Sequence, residues 1–333
     1  MNPKPTKEKS MPLDKNQTTL VTGAAGFIGF HLSQKLLENG NRVIGLDNLN
    51  PYYDVSLKKA RLERLKSHEG FLFKKADIED LPQLKKIFQD QPIDRICNLA
   101  AQAGVRYSLI DPFSYQKSNL EGFLNLLEMA REHRVSNFVY ASSSSVYGKN
   151  DTYPFSTEDR VETPVSLYGA TKKANELMAH AYSHLFDIPC TGLRFFTVYG
   201  PWGRPDMALF LFAEAILKNK PIKVYNHGRM KRDFTYIDDI VDGTLAALDR
   251  PYPYEVFNLG NSKVIELMDF IRVIEEGLGK KAKKEMLPMQ PGDVPETSAD
   301  IQKSRDMLGF NPKTSIKEGV GKFLTWYREY YKI

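Results

Sequence analysis

The chain has 333 residues, and its 42% hydrophobic content is sufficient for a buried core, which excludes a disordered protein. Lysine and arginine total 46 against 41 aspartates and glutamates, for a net charge of +5. No segment is rich enough in basic residues to follow a phosphate backbone, so no nucleic acid partner is predicted.

Secondary structure alternates regularly up to about residue 200. A tail at 1–17 lacks the apolar stretch that a secretory signal requires and is predicted to be flexible. Strands are predicted at 18–21, 42–46, 71–75, 95–99, 137–141 and 189–195. Amphipathic spacing predicts helices at 26–39, 56–67, 81–89, 113–134 and 167–186. This alternation predicts an α/β fold, a doubly wound parallel sheet of the Rossmann type with helices on both faces.

The alternation loosens in the second part of the chain. Helices are predicted at 208–218, 266–278 and 316–331, and a strand at 222–225. We therefore predict a Rossmann domain at 18–200 and a smaller α/β lobe at 201–333. Segments near 234–260 are expected to return to the Rossmann domain.

The two cysteines and the most apolar later segment bear on location. Cys97 and Cys190 lie in apolar strand-like segments, which is typical of reduced core residues in a cytoplasmic protein and offers no metal site. The segment 208–217 contains Glu214 and is too short to span a bilayer. We expect a cytoplasmic protein without a membrane partner.

A tyrosine and a lysine stand at the start of one predicted helix. Tyr168 and Lys172 are four residues apart, so their side chains point to one face. A phenol ionises near pH ~10, and an ammonium beside it favours the phenolate. The pair predicts an acid/base in which Lys172 lowers the pKa of Tyr168. Because this spacing often occurs by chance on a solvated helix face, its interpretation depends on the surrounding sequence.

A glycine-rich turn after the first strand predicts a cofactor site. Gly23, Gly26 and Gly29 open the first helix, where backbone N–H groups can bind a pyrophosphate. Asp47 ends the second strand 18 residues after Gly29, near the offset expected for an acid on the adenosine ribose. A carboxylate there repels a 2′-phosphate, so NAD is predicted rather than NADP.

Further cofactor contacts are predicted at the same edge of the sheet, because the carboxyl ends of parallel strands line the ligand crevice. Asp77 and Ile78 are candidates for the adenine end, and small side chains would let the cofactor approach the backbone. The remaining predicted contacts are Phe27, Ile28, Asn48, Leu99, Ala100, Ala101 and Gln102. For the alanines, easier helix packing explains the small side chains nearly as well.

With these motifs in this order, the chain resembles the extended short-chain dehydrogenase/reductase family, whose members bind NAD and sugar nucleotides. The resemblance extends over nearly the whole chain from Thr18 to Tyr331. The serine-rich segment 141–148 is similar to the family's strand end that carries a third catalytic residue. The resemblance implies that this residue is Ser143.

Four segments are similar to the UDP-glucuronate 4-epimerases within that family: 47–54, 101–108, 196–207 and 289–294. Only Pro51 departs visibly from the first motif. The resemblance implies inversion at C4 of a UDP-hexuronic acid through a 4-keto intermediate. Tyr168 would remove and return the O4 proton while bound NAD takes and returns the hydride. Lys172 would hold the nicotinamide ribose, and Ser143 would relay the proton.

The 4-keto intermediate of a uronic acid is a β-keto acid, which can lose carbon dioxide. The resemblance implies that the carboxylate is restrained by Ser144, Ser145, Thr197, Arg106 and Arg204. At the nucleotide end it implies Arg232 for the pyrophosphate, Asp293 for a hydroxyl and Tyr225 beside uracil. Arg204, Arg232 and Asp293 also have ordinary interpretations, as solvated cations or as a helix cap.

Several alternatives remain at this point. A UDP-glucuronate decarboxylase shares the oxidation step but has a glutamate in the serine motif, and a 4,6-dehydratase has an acidic pair there. A UDP-glucose or UDP-N-acetylglucosamine 4-epimerase and a noncatalytic NAD-binding scaffold are the other candidates. The resemblance also implies a homodimer that packs through the predicted helices at 113–134 and 167–186.

Overall fold

The computed structural model describes residues 17–333, so the predicted tail lies outside the described residues except for Gln17. Its strands are β1 (Thr18–Thr22), β2 (Arg42–Asp47), β3 (Phe71–Lys75), β4 (Arg95–Asn98), β5 (Asn137–Ser143), β6 (Cys190–Phe195), β7 (Thr197–Tyr199), β8 (Pro221–Val224), β9 (Lys231–Tyr236), β10 (Tyr254–Leu259), β11 (Val264–Glu266) and β12 (Lys283–Met286). Its α-helices are α1 (Phe27–Glu38), α2 (Val55–Lys66), α3 (Leu81–Asp90), α4 (Pro112–Tyr115), α5 (Gly122–Glu132), α6 (Leu167–Phe186), α7 (Ala208–Leu217), α8 (Ile237–Leu248), α9 (Leu267–Leu278), α10 (Gln302–Leu308) and α11 (Ile316–Tyr331).

Seven parallel strands form the main sheet, in the order β10-β6-β5-β4-β1-β2-β3. The chain proceeds outward from β1 through β2 to β3, then returns to place β4 on the other side of β1. This reversal creates a crevice beyond the carboxyl ends of β1 and β4, where ligands bind in open α/β sheets. The predicted doubly wound fold is confirmed.

Helices cover both faces of this sheet, which explains why β1, β4 and β6 are buried along their whole length. Successive residues of a strand point to opposite faces. Leu20 accordingly packs in the core under α3, α5 and α6, whereas Val21 packs in the core under α1 and α8. The apolar strands predicted from sequence therefore supply two cores.

Side-chain caps define where several helices begin. Asp54 accepts from the Ser56 amide at 2.8 Å to start α2, and Ser166 accepts from the Gly169 amide at 3.0 Å to start α6. Gly279 follows α9 with φ +66, a left-handed conformation that favours glycine. The cap of α6 matters for function because it fixes the turn that carries Tyr168.

The predicted helix at 113–134 is interrupted. Between α4 and α5 the chain forms a π-helical segment, Gln116–Glu121, with one wider turn. Asn119 in this segment accepts from the Gln102 amide at 2.8 Å and donates to the Thr171 hydroxyl at 3.0 Å. The wider turn thus ties the loop after β4 to α6.

The second part of the chain contributes to the main sheet and to two small sheets. Strand β10 pairs with β6, and α8 packs against α1. The small sheets have the orders β11-β9-β7 and β12-β8, with α7, α9 and α11 packed around them. No strand was predicted at β7, β9, β10, β11 or β12; β7 and β11 have only three residues each, and all five pair with segments distant in sequence. The division into two lobes stays a prediction. Within residues 17–333, no helix has the length and apolar character needed to cross a membrane.

Candidate active site

One cavity of about 1110 Å³ opens at the carboxyl ends of the main strands and continues between the sheet and the later segments. This volume slightly exceeds the ~300–1,000 Å³ that ligand sites usually measure. The cavity walls include every site residue predicted from the sequence. The arrangement of these residues divides it into a cofactor end, a reaction centre and a nucleotide end.

The reaction centre lies where α6 meets the end of β5. Lys172 donates from Nζ to the Ala141 carbonyl oxygen at 2.8 Å, and Nζ lies 6.0 Å from the Tyr168 ring centroid. The Ser143 hydroxyl accepts from the Ser145 amide at 3.1 Å, which turns the chain into a 3₁₀ helix. The structure therefore brings Tyr168, Lys172 and Ser143 together at one cavity wall.

A glycine allows α6 to approach this close to the serine turn. A Cβ on Gly169 would lie 2.5 Å from the Ser145 carbonyl oxygen, a backbone atom that cannot move aside like a flexible side chain. Because Gly169 directly follows Tyr168, this contact sets the distance from the phenol to the serine segment.

Burial governs the titration of this centre. Burial raises the pKa of Tyr168, and hydrogen bonding by Ser143 and the charge of Arg204 oppose that rise without cancelling it. Burial likewise lowers the pKa of Lys172 to about 8. The prediction that Lys172 lowers the Tyr168 pKa is wrong for this structure, because desolvation of the phenol outweighs the charges around it.

The glycine-rich turn fits a dinucleotide. Gly23 has φ +69, and a Cβ there would lie 2.9 Å from the Ala100 amide nitrogen. A Cβ on Gly26 would lie 2.9 Å from the Gly23 carbonyl oxygen, and one on Gly29 would overlap that oxygen. The first turn of α1 contains no acidic residue and lines the cavity, so its N–H groups and positive dipole end can bind an anion there.

Asp47 both organises this turn and faces the cavity. Its carboxylate accepts from the Ala25 amide at 3.1 Å and from the Leu49 amide at 2.8 Å, and Lys58 lies 3.9 Å away. Two carboxylate oxygens offer about four acceptor sites, so capacity remains for ribose hydroxyls. The turn and Asp47 together fit NAD.

The other predicted cofactor residues border this end of the cavity. Asn48 donates to the Asp77 carboxylate at 2.9 Å, which joins the ends of β2 and β3. The amides of Leu99 and Ala100 donate to the Thr22 hydroxyl at 3.1 Å each. The remaining residues of this wall are Phe27, Ile28, Ile78, Ala101 and Gln102.

Cations and an aromatic ring gather at the nucleotide end. Arg106, which the family resemblance placed beside the carboxylate, instead forms an ion pair with Asp293 at 3.1 Å and lies over the Tyr225 ring, 4.6 Å from its centroid. Arg232, on β9, donates to the Pro295 carbonyl oxygen at 3.1 Å. Burial is the main cause that lowers the pKa of Arg232, and Arg106 contributes. Two neighbouring guanidiniums suit a pyrophosphate.

Ser144, Ser145, Thr197 and Arg204 also line the cavity, but Arg204 has a partner that sequence analysis missed. Its Nε and Nη2 donate to the Asp206 carboxylate at 3.0 and 2.5 Å. Tyr52 donates to the same carboxylate at 3.1 Å. In the sequence, this ion pair was indicated by the spacing of Arg204 and Asp206, which lie two residues apart. In residues 17–333, no group of three or more His, Cys, Asp or Glu side chains could hold a metal ion.

Comparison with known proteins identifies the family. The sequence model of the NAD dependent epimerase/dehydratase family matches residues 19–260. UDP-glucuronate 4-epimerase 4 of Arabidopsis thaliana is 49% identical over 332 residues, which cover 94% of this chain and 76% of that protein. A probable UDP-glucuronate 4-epimerase of Rhizobium meliloti is 45% identical, with 94% and 97% covered.

The structural comparison agrees. A crystal structure of UDP-glucuronic acid 4-epimerase from Bacillus cereus, in complex with UDP-glucuronic acid and NAD, matches with a TM-score of 0.89 and 38% identity. The match covers 95% of this chain and 100% of that chain. The family resemblance inferred from the motifs is confirmed, and the chain belongs to the NAD dependent epimerase/dehydratase family.

Proposed function

We propose that this protein is an NAD-dependent epimerase that inverts C4 of UDP-glucuronate to give UDP-galacturonate. The observation that carries the proposal is the position of Tyr168, Lys172 and Ser143 between the glycine-rich turn and the Arg106–Arg232 end of one cavity. A sugar held there would have the cofactor on one side and its nucleotide on the other. The relatives named as UDP-glucuronate 4-epimerases support the same substrate.

The cofactor end is assigned to this chain's own groups. We propose that Gly23, Gly26 and Gly29 admit the pyrophosphate to the start of α1, and that Asp47 binds the adenosine ribose. Asp77 and Asn48 would border the adenine, and Lys172 would bind the nicotinamide ribose. When bound, NAD supplies a hydride acceptor and donor for C4.

Tyr168 is the proposed acid/base at O4. Its raised pKa suits the return of a proton to O4, whereas the hydrogen bond from Ser143 and the charge of Arg204 favour its removal. Ser143 holds O4 by hydrogen bonding and bridges it to the phenol. Since the same phenol removes and restores one proton, the reaction needs no external acid or base.

The two ends of the substrate determine its placement. Arg232 and Arg106 would bind the UDP pyrophosphate, with Asp293 on a hydroxyl and Tyr225 beside the base. Hydroxyls of Ser144, Ser145 and Thr197, with Arg204, would bind the C5 carboxylate. The groups around the carboxylate distinguish a uronic acid from a neutral hexose, because only the acid forms charged hydrogen bonds with them.

Product analysis tests the proposal. We expect the purified protein to convert UDP-glucuronate to UDP-galacturonate as the main product, with UDP-glucose converted far more slowly. UDP-xylose as the main product would indicate a decarboxylase and contradict the proposal. Equal turnover of UDP-glucose would indicate a neutral-sugar epimerase, and absence of any turnover would favour a scaffold.

We also propose a cytoplasmic location, which the two free, buried cysteines support.

We propose further that the protein is a homodimer. Helices α5 and α6 expose apolar side chains that a second copy could cover, at Leu124, Leu177, Leu185 and Phe186. Leu177 and Leu185 are 61% and 66% exposed. Sedimentation of the wild type and of Leu177→Asp tests this, and a monomeric wild type would contradict it.

A further inference from the structure

Asp206 occupies one edge of the Arg204 guanidinium. The carboxylate accepts from Nε at 3.0 Å and from Nη2 at 2.5 Å, so the pair is bidentate. Within residues 17–333, Nη1 has no hydrogen-bond acceptor, and Arg204 lines the cavity. Arg204 can therefore bind Asp206 and a substrate carboxylate at the same time.

Tyr52 holds Asp206 from the other side. Its hydroxyl donates to Asp206 Oδ2 at 3.1 Å, and its ring packs 4.9 Å from the ring of Tyr107. Burial opposes ionisation of Asp206, but Arg204 and Tyr52 outweigh it and lower the pKa of Asp206. Asp206 is thus a fixed anion that compensates the charge of Arg204.

That charge acts on the reaction centre. Arg204 and Tyr168 line the same cavity, and the charge of Arg204 opposes the rise of the Tyr168 pKa. Loss of carbon dioxide from the 4-keto acid breaks the C5–C6 bond and moves its electron pair into an enolate with the charge on O4. A proton then adds to C5. An uncompensated cation near O4 would stabilise that enolate and promote the loss.

We propose that Asp206, held by Tyr52, is a positioning residue that keeps the carboxylate on the 4-keto intermediate. It fixes the plane of Arg204, and hence the direction of the C5–C6 bond, and it compensates the Arg204 charge next to O4. This inference rests on the proposed function, since it concerns the uronic acid intermediate of that reaction.

The test measures how the intermediate is divided between two products. UDP-glucuronate labelled with ¹⁴C at C6 is incubated with each variant, and the ratio of released ¹⁴CO₂ to labelled UDP-galacturonate is measured. In Asp206→Asn one charged hydrogen bond is lost, so we expect the ratio to rise roughly tenfold or more. Tyr52→Phe keeps the pair but loosens it, and we expect a smaller rise. The matched control is Asp269→Asn, which breaks an exposed Asp–Arg pair outside the cavity, and its ratio should equal that of the wild type.

A purely structural role would lower total turnover without changing this ratio, and that result for Asp206→Asn would overturn the inference. If Asp206→Asn does not fold, the ratio measured for Tyr52→Phe decides, and an unchanged value overturns the inference. A wild type that makes no UDP-galacturonate refutes the proposed function itself. If the wild type epimerises and both variants give the same product ratio as the wild type, only the role of Asp206 is refuted.

Discussion

Replacement of Glu176 by glutamine should destabilise the protein through the helix that carries Tyr168. Glu176 is 1% exposed and joins α6 to two strands of the main sheet. Its carboxylate accepts from the Ser142 hydroxyl at 2.7 Å on β5, and from Arg194 Nε and Nη2 at 2.8 and 2.9 Å on β6. The pair therefore holds the helix against the strand that ends in Ser143.

The magnitude follows from the burial of both partners. Glu176→Gln removes the negative charge and leaves Arg194, whose side chain is 3% exposed, as an uncompensated buried cation. Breaking a buried pair in this way costs about 3–5 kcal/mol. The matched control is Glu318→Gln, which breaks an exposed pair with Lys322 at 2.8 Å. Such pairs contribute about 0–1 kcal/mol.

Urea unfolding, monitored by far-UV circular dichroism, measures both variants against the wild type. We expect the free energy of unfolding to fall by about 3 kcal/mol or more for Glu176→Gln, and by less than about 1 kcal/mol for Glu318→Gln. Equal losses would mean that the buried Glu176–Arg194 pair contributes no more than a solvated pair, which would contradict this prediction.

Three further predictions concern the site. Tyr168→Phe should keep NAD binding but lose about 10²–10⁴-fold in kcat. The control Tyr182→Phe, on the same helix, should keep its activity. Normal turnover by Tyr168→Phe would contradict the role of its hydroxyl. Gly29→Ala places a methyl group on a backbone oxygen of the turn and should abolish NAD binding measured by calorimetry. The control Gly321→Ala, where a methyl group meets open space, should bind NAD as the wild type does. Equal NAD affinity of the two variants would contradict the fit of NAD to the glycine-rich turn. Lys172 has a pKa of about 8 when folded and 10.5 as its ordinary value, so the unfolded state binds more protons between these pH values. Over that interval the free energy of unfolding of the wild type, relative to Lys172→Met, should rise by roughly 3 kcal/mol, and a constant difference would contradict the burial of this ammonium.

The features predicted from sequence are those in which one local pattern suffices. Gly23, Gly26 and Gly29 lie within one turn, and Asp47 ends the next strand, so spacing alone placed them at one edge of a parallel sheet. Tyr168 and Lys172 share a helix face for the same reason. The doubly wound sheet followed from the alternation of strands and helices.

Other features depend on segments that meet only in the folded chain. Asn119 widens its helix because it bonds to Gln102, 17 residues earlier, and to Thr171 on α6. The contact of Tyr52 with Asp206 joins positions 154 residues apart, and no local pattern indicates it.

The pKa of Tyr168 was mispredicted for a related reason. Spacing gives the distance to a neighbouring ammonium, but desolvation depends on how many segments pack over the phenol. Burial is the largest influence on both Tyr168 and Lys172. The sign of a pKa shift in such a pair therefore needs the tertiary structure.

We infer that C4 of UDP-glucuronate is oxidised and reduced again within one cavity. UDP-glucuronate carrying deuterium at C4 tests it most directly, with the UDP-galacturonate product examined by mass spectrometry and NMR in ordinary water. We expect UDP-galacturonate to keep the deuterium at C4, because the hydride never leaves the site. Product with hydrogen from water at C4, or no UDP-galacturonate at all, would contradict it.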